Sequence, residues 1–74
     1  MEEPKTLEEA HKLLKNEKAI FLYREGTDAS YLDVVNGEFI FATYDVDGML
    51  LDWVVLKPKD ADRLIKEKLK RDNV

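Results

Sequence analysis

Tyr31-Leu32-Asp33-Val34-Val35-Asn36-Gly37-Glu38-Phe39-Ile40-Phe41-Ala42-Thr43-Tyr44 reads as two strands joined by a two-residue turn. Asn-Gly is the strongest short-range hairpin signal. Both residues accept positive φ, and the type I′ turn they form matches the twist of the flanking strands. The turn sets the register. Val35 should face Glu38, Val34 Phe39, Asp33 Ile40 and Leu32 Phe41. Side chains alternate along a strand, so Leu32, Val34, Phe39 and Phe41 share one face. Tyr31, Asp33, Val35, Glu38, Ile40, Ala42 and Tyr44 share the other.

The next turn, Asp45-Val46-Asp47-Gly48, precedes a further strand at Met49 to Leu56. Its length decides parity. If Asp47-Gly48 is a two-residue turn, Asp52 joins Phe39 and Phe41 while Trp53 faces away. If a glycine-closed bulge adds one residue, Leu51, Trp53 and Val55 join the phenylalanines and Asp52 turns outward. An unpaired buried carboxylate costs several kcal/mol, which favours the bulge. The expected core face is then Leu32, Val34, Phe39, Phe41, Leu51, Trp53 and Val55.

Before the hairpin, Lys18 to Arg24 reads as a strand, bounded by the turn-like Glu25-Gly26-Thr27-Asp28. The loop from Glu25 to Ser30 does not set the register of this strand. At the N-terminal side, Thr6 and Glu9 have capping-box spacing. Leu7, Ala10, His11 and Leu14 follow at helical spacing, with Asn16 as the stop. At the C-terminal side, Pro58 suits a first helical turn. Ala61, Leu64, Ile65 and Leu69 form a stripe, and the Lys68 stem is placed to cover its edge. The expectation is an α+β fold of order α-β-β-β-β-α. It is one domain over residues 1–74, a four-stranded antiparallel meander with both helices packed on one face.

That arrangement leaves the other face bare. It carries Tyr31, Asp33, Val35, Glu38, Ile40, Ala42, Tyr44, Leu50, Asp52, Val54 and Leu56, too apolar for ordinary solvated sheet and too acidic for a second core. Contiguous apolar patches of this kind mark contact sites. Charge agrees. Residues 25 to 56 hold seven acids and no Lys or Arg, whereas residues 57 to 74 hold seven basic residues against four acids. A surface so divided selects its partners by sign.

Composition narrows the alternatives. A chain of 74 residues has a thin core. There is no cysteine, so disulfides and thiolate metal sites are absent, and oligomerisation is the natural remedy. Charged residues make up 38% of the chain and Gln is missing, a thermophile-like composition. The acidic Met1-Glu2-Glu3-Pro4 is unlike a secretory leader, and no apolar run approaches membrane-spanning length. A cytoplasmic location without membrane contact is expected.

Chemistry-bearing residues are few. His11 and Ser30 are the seeds for nucleophilic catalysis, but they are remote in sequence, and His11 lies at the rim of a helix stripe. Asp45-Val46-Asp47-Gly48 resembles part of a calcium loop. The acid expected before it and the Glu expected after it are replaced by Thr43 and Val54, so a turn explains it better. Asp33 and Asp52 are expected on one face but two strands apart, a poor pair for one metal ion. No glycine-rich phosphate loop exists. The net charge of −4 disfavours nucleic acid, with the last helix (Lys59, Arg63, Lys66, Lys70, Arg71) as the exception.

The expected function is therefore a small acidic, non-enzymatic protein-interaction module without catalytic residues, metal or cofactor. Its open face would bind a protein partner, by homodimer formation or by capture of a basic target. The alternatives are a metal- or ligand-dependent enzyme using Asp33, Asp52 and Tyr44, and a nucleic-acid binder using the C-terminal helix. Element order alone carries no function.

Overall fold

The computed structural model describes residues 3–73. Its order is α1 (Leu7–Lys15), β1 (Ile20–Glu25), β2 (Asp28–Val35), β3 (Glu38–Tyr44), β4 (Leu50–Leu56) and α2 (Pro58–Asp72). The strands form one antiparallel sheet in sequence order, with β1 and β4 at its edges. Both helices lie on one face, and their contacts with the sheet concentrate on β1 and β2. Among the described residues, no helix is long and apolar enough to cross a membrane.

The local signals explain most boundaries. The Thr6 hydroxyl accepts from the Glu9 N–H at 3.1 Å, which caps α1. Asn36 and Gly37 both have positive φ, 52° and 79°, as a type I′ turn demands. Every register pair expected across that turn is present. Gly26-Thr27 is a second two-residue turn, because Glu25 pairs with Asp28. Strand β2 therefore begins at Asp28, three residues before the expected Tyr31.

The core lies between the helices and the inner face of β1 to β3. Ile20, Leu32 and Ile65 are the largest fully buried side chains, and Ala10, Leu14, Leu22 and Ala61 complete the cluster. Val34, Phe39, Phe41 and Leu56 pack against it at the margin. Burying a Leu, Ile or Val side chain contributes roughly 1.5–3 kcal/mol. Lys68 is also buried, at 2% exposure. Its Nζ is 3.0 Å from a Glu3 carboxylate oxygen and 3.1 Å from one of Asp72.

The fourth strand departs from the expected parity. The glycine-closed loop is there: Gly48 has φ 82°, its N–H donates to the Asp45 carbonyl, and the Asp45 N–H donates to the Met49 carbonyl. Tyr44 then pairs with Leu50. A second irregularity follows, because Thr43 pairs with Asp52 and Leu51 is the extra residue. Two bulges in succession cancel. Trp53 pairs with Ala42 and Val55 with Ile40, so both point away from the helices. Asp52, Val54 and Leu56 point toward the helix side, beside Thr43, Phe41 and Phe39.

Thus Leu51, Trp53 and Val55 are not core, and Asp52, Val54 and Leu56 are not on the outer face. The reason is coverage. The penalty for an inward Asp52 presumes that helices roof the fourth strand. They do not, and Asp52 stays exposed.

Candidate protein-interaction surface

The outer face of the sheet is built from cross-strand rows. Tyr31, Ala42 and Trp53 form one row, and Asp33, Ile40 and Val55 form the next. Val35 and Glu38 close the hairpin end, while Tyr44 and Leu50 stand at the other end. Phe21 of β1 extends the aromatic surface. Its ring lies edge-on to Tyr31 at 5.6 Å, and Tyr31 lies edge-on to Tyr44 at 5.7 Å. Offset and edge-on ring pairs of this kind hold aromatic side chains in fixed orientations.

Eight of the ten residues expected at the interface share this face: Tyr31, Asp33, Val35, Glu38, Ile40, Ala42, Tyr44 and Leu50. Ile40 and Ala42 lie beneath their neighbours, at 9% and 4% exposure, and form its floor. Asp52 and Val54 are on the opposite side, for the reason given above. Trp53 and Val55, expected in the core, take their places.

The largest uncovered apolar surface belongs to β4. Trp53 is 56% exposed, Leu51 54%, Val54 48% and Val55 46%. Met49 and Val46 continue it into the loop. From Leu50 to Val55 the strand is uncovered on both faces and along its edge. An edge strand presents unpaired N–H and C=O groups, which native proteins normally guard. The β1 edge is guarded: an Arg71 guanidinium N–H donates to the Leu22 carbonyl at 3.0 Å, and that guanidinium stacks over Tyr23. Leu22 is itself the extra residue of a β-bulge. On β4 the guards are the bulge at Leu51 and the single charge of Asp52, which accepts from the Trp53 N–H at 2.9 Å.

Electrostatically the molecule has two sides. Asp33 and Glu38 stand on the outer face, and the β3–β4 loop adds Asp45 and Asp47. The Asp45 carboxylate is engaged by the Asp47 and Met49 N–H groups, both at 2.9 Å, which holds the loop shape. The exposed side of α2 carries Lys59, Arg63, Lys66 and Lys70, interrupted by Asp62 and Glu67. Arg71, expected in that basic stripe, is spent on β1.

The seeds of other chemistry do not converge. His11 Nε2 lies 2.7 Å from an Asp62 carboxylate oxygen, a link between the helices. Ser30 Oγ lies 3.1 Å from Thr43 Oγ1. Asp33 and Asp52 are on opposite faces of the sheet, so the carboxylate pair considered for a metal does not form. Among the described residues, no three His, Asp or Glu side chains gather at a metal-sized site. A cleft of about 460 Å³ lies between the two helices and the β2–β3 turn, over Leu14, Val34, Phe39 and Pro58. His11 and Asp62 stand at its rim already paired. No buried side-chain polar atom lacks a partner among the described residues.

No protein-family model, curated protein or solved structure matches the chain.

Sequence reasoning missed Trp53, Val55 and Phe21. One available sign was the unbroken apolar run from Trp53 to Leu56. A strand half-buried under helices alternates, and this one does not. Another was the narrow stripe of α1, too small to roof four strands.

Proposed function

We propose that this protein is a small interaction module whose sheet surface receives a protein partner bearing basic groups around an apolar centre. The observation that carries this reading is the exposed apolar surface of Trp53 and Val55 bordered by Asp33 and Glu38, in a stretch without any Lys or Arg. Apolar surface supplies affinity, and the flanking acids supply association rate and sign selectivity.

The test is amide chemical-shift mapping while a lysine-rich amphipathic peptide is titrated in. Shifts should centre on Tyr31, Asp33, Glu38 and Trp53. The doubly neutralised variant Asp33→Asn/Glu38→Gln should bind roughly five-fold more weakly, as expected for two rim charges. Moderate salt should have a similar effect. Shifts confined to the helices, or none, would remove this reading.

A further inference from the structure

We infer that the β4 edge pairs with the β4 edge of a second copy, about a two-fold axis at Val54, to form a closed dimer with one continuous eight-stranded sheet. This rests on the reading of the sheet surface as a contact surface, and it names the occupant of its β4 margin.

Register comes first. Beyond the Leu51 bulge, the regular part of β4 is Asp52 to Leu56, and its middle residue is Val54. A two-fold there sets Trp53 opposite Val55 of the other copy and Asp52 opposite Leu56. Each pair matches in face, because Trp53 and Val55 are both outward and Asp52 and Leu56 are both on the helix side. The bulges of both copies fall outside the paired segment. Pairing keeps each face continuous across the seam, as an isologous contact requires, and it passes the Trp53 N–H from the Asp52 carboxylate to the Val55 carbonyl of the other copy.

Charge then selects the edge over the face. Stacking two outer faces would bring Asp33 and Glu38 against the acids of the other copy. Edge pairing leaves the two faces side by side. At about 4.8 Å per strand, the two Glu38 on the β3 strands are separated by roughly 14 Å and the two Asp33 on the β2 strands by roughly 24 Å. Both exceed the ~8 Å Debye length at physiological salt. The paired segment itself carries uncovered apolar surface: Trp53 is 56% exposed, Val54 48% and Val55 46%.

Closure follows from the other edge. Because Arg71 occupies the Leu22 carbonyl and α2 lies along β1, the second edge offers no equivalent seat. Pairing stops at two copies.

The experiment uses the full chain, which has no cysteine of its own. Sedimentation velocity from about 1 to 500 μM, a range that covers weak specific affinities, should show monomer passing to dimer and no further. In Val54→Cys, mild oxidation should give a disulfide-linked dimer at least ten-fold faster than in Val35→Cys, whose site is equally exposed but remote from β4. Trp53→Lys should be a folded monomer by circular dichroism, and Glu38→Lys should keep the wild-type mass. A wild type monomeric throughout, masses growing beyond two, or equal cross-linking of the two cysteine variants would overturn the pairing. A monomer that still shows outer-face shifts with the lysine-rich peptide loses the dimer and keeps the proposed function. A monomer that shows none loses both.

Discussion

Among the described residues, Glu17 carries the least comfortable backbone. It holds φ at 58° without being Gly or Asn. The conformation is required by the end of α1. The Lys18 N–H donates to the Leu13 carbonyl at 3.0 Å, and the Glu17 N–H donates to the Leu14 carbonyl at 3.0 Å. These two bonds form a Schellman motif, which needs a left-handed residue at this position. A side chain there is disfavoured by sterics that glycine escapes. Glu17→Gly should therefore stabilise the protein by about 0.5–1 kcal/mol, despite the added freedom of the unfolded chain. Thermal unfolding should shift upward by about 3–6 °C for a domain of this size. A lowered midpoint would mean that the Glu17 side chain does more than tolerate its place. The sequence pointed to Asn16 as the stop, and Asn16 is the C-cap. The left-handed residue lies one position later, and no residue type marks it. Lys68 is a similar case. Its spacing to Asp72 was visible as an i, i+4 pair, but the Glu3 carboxylate that helps bury its ammonium comes from a remote segment.

Strand β4 shows where local reading ends. The Asn36-Gly37 hairpin was fully legible, because a two-residue turn dictates register by itself. The glycine-closed loop after Tyr44 was legible too. The bulge at Leu51 was not, because no glycine or proline marks it and its benefit is tertiary. It seats Leu56 beside Phe39 at the core margin and sets Trp53 over Ala42. The candidate surface was legible in the central strands and misassigned on the fourth for this one reason. Deleting Leu51 tests the assignment. The extra residue is removed, but the pairs Tyr44 with Leu50 and Thr43 with Asp52 remain available in regular ladder geometry. Trp53 should stay outward. At micromolar dilution, its emission should remain at the wavelength of a solvent-exposed indole, with acrylamide quenching close to wild type. A blue-shifted, protected indole after the deletion would show that the strand reverses its faces, and that the bulge is not where the pairing places it.

The whole molecule divides its apolar residues unevenly. Among the described residues, only Ile20, Leu32 and Ile65 of the larger side chains are fully buried, while the one tryptophan stands half in water. A 74-residue domain of ordinary stability has roughly 4–11 kcal/mol in total. In that margin the location of a side chain outweighs its size. Ile65 sits at 0% exposure in the cluster joining both helices to the sheet. Ile65→Ala removes buried methyl groups and leaves a cavity, at a cost of about 2–5 kcal/mol. That is a large part of the whole. Trp53→Ala removes far more surface, but about half of it is already hydrated in the single chain. It should cost about 1 kcal/mol or less when measured where the protein is monomeric. Urea unfolding of the three proteins at micromolar concentration separates the two cases. Wild type and Trp53→Ala should have nearly coincident midpoints, with Ile65→Ala far below both. Equal destabilisation by the two substitutions would place the indole in the core. In that event the exposed apolar surface on which the interaction reading depends would not exist.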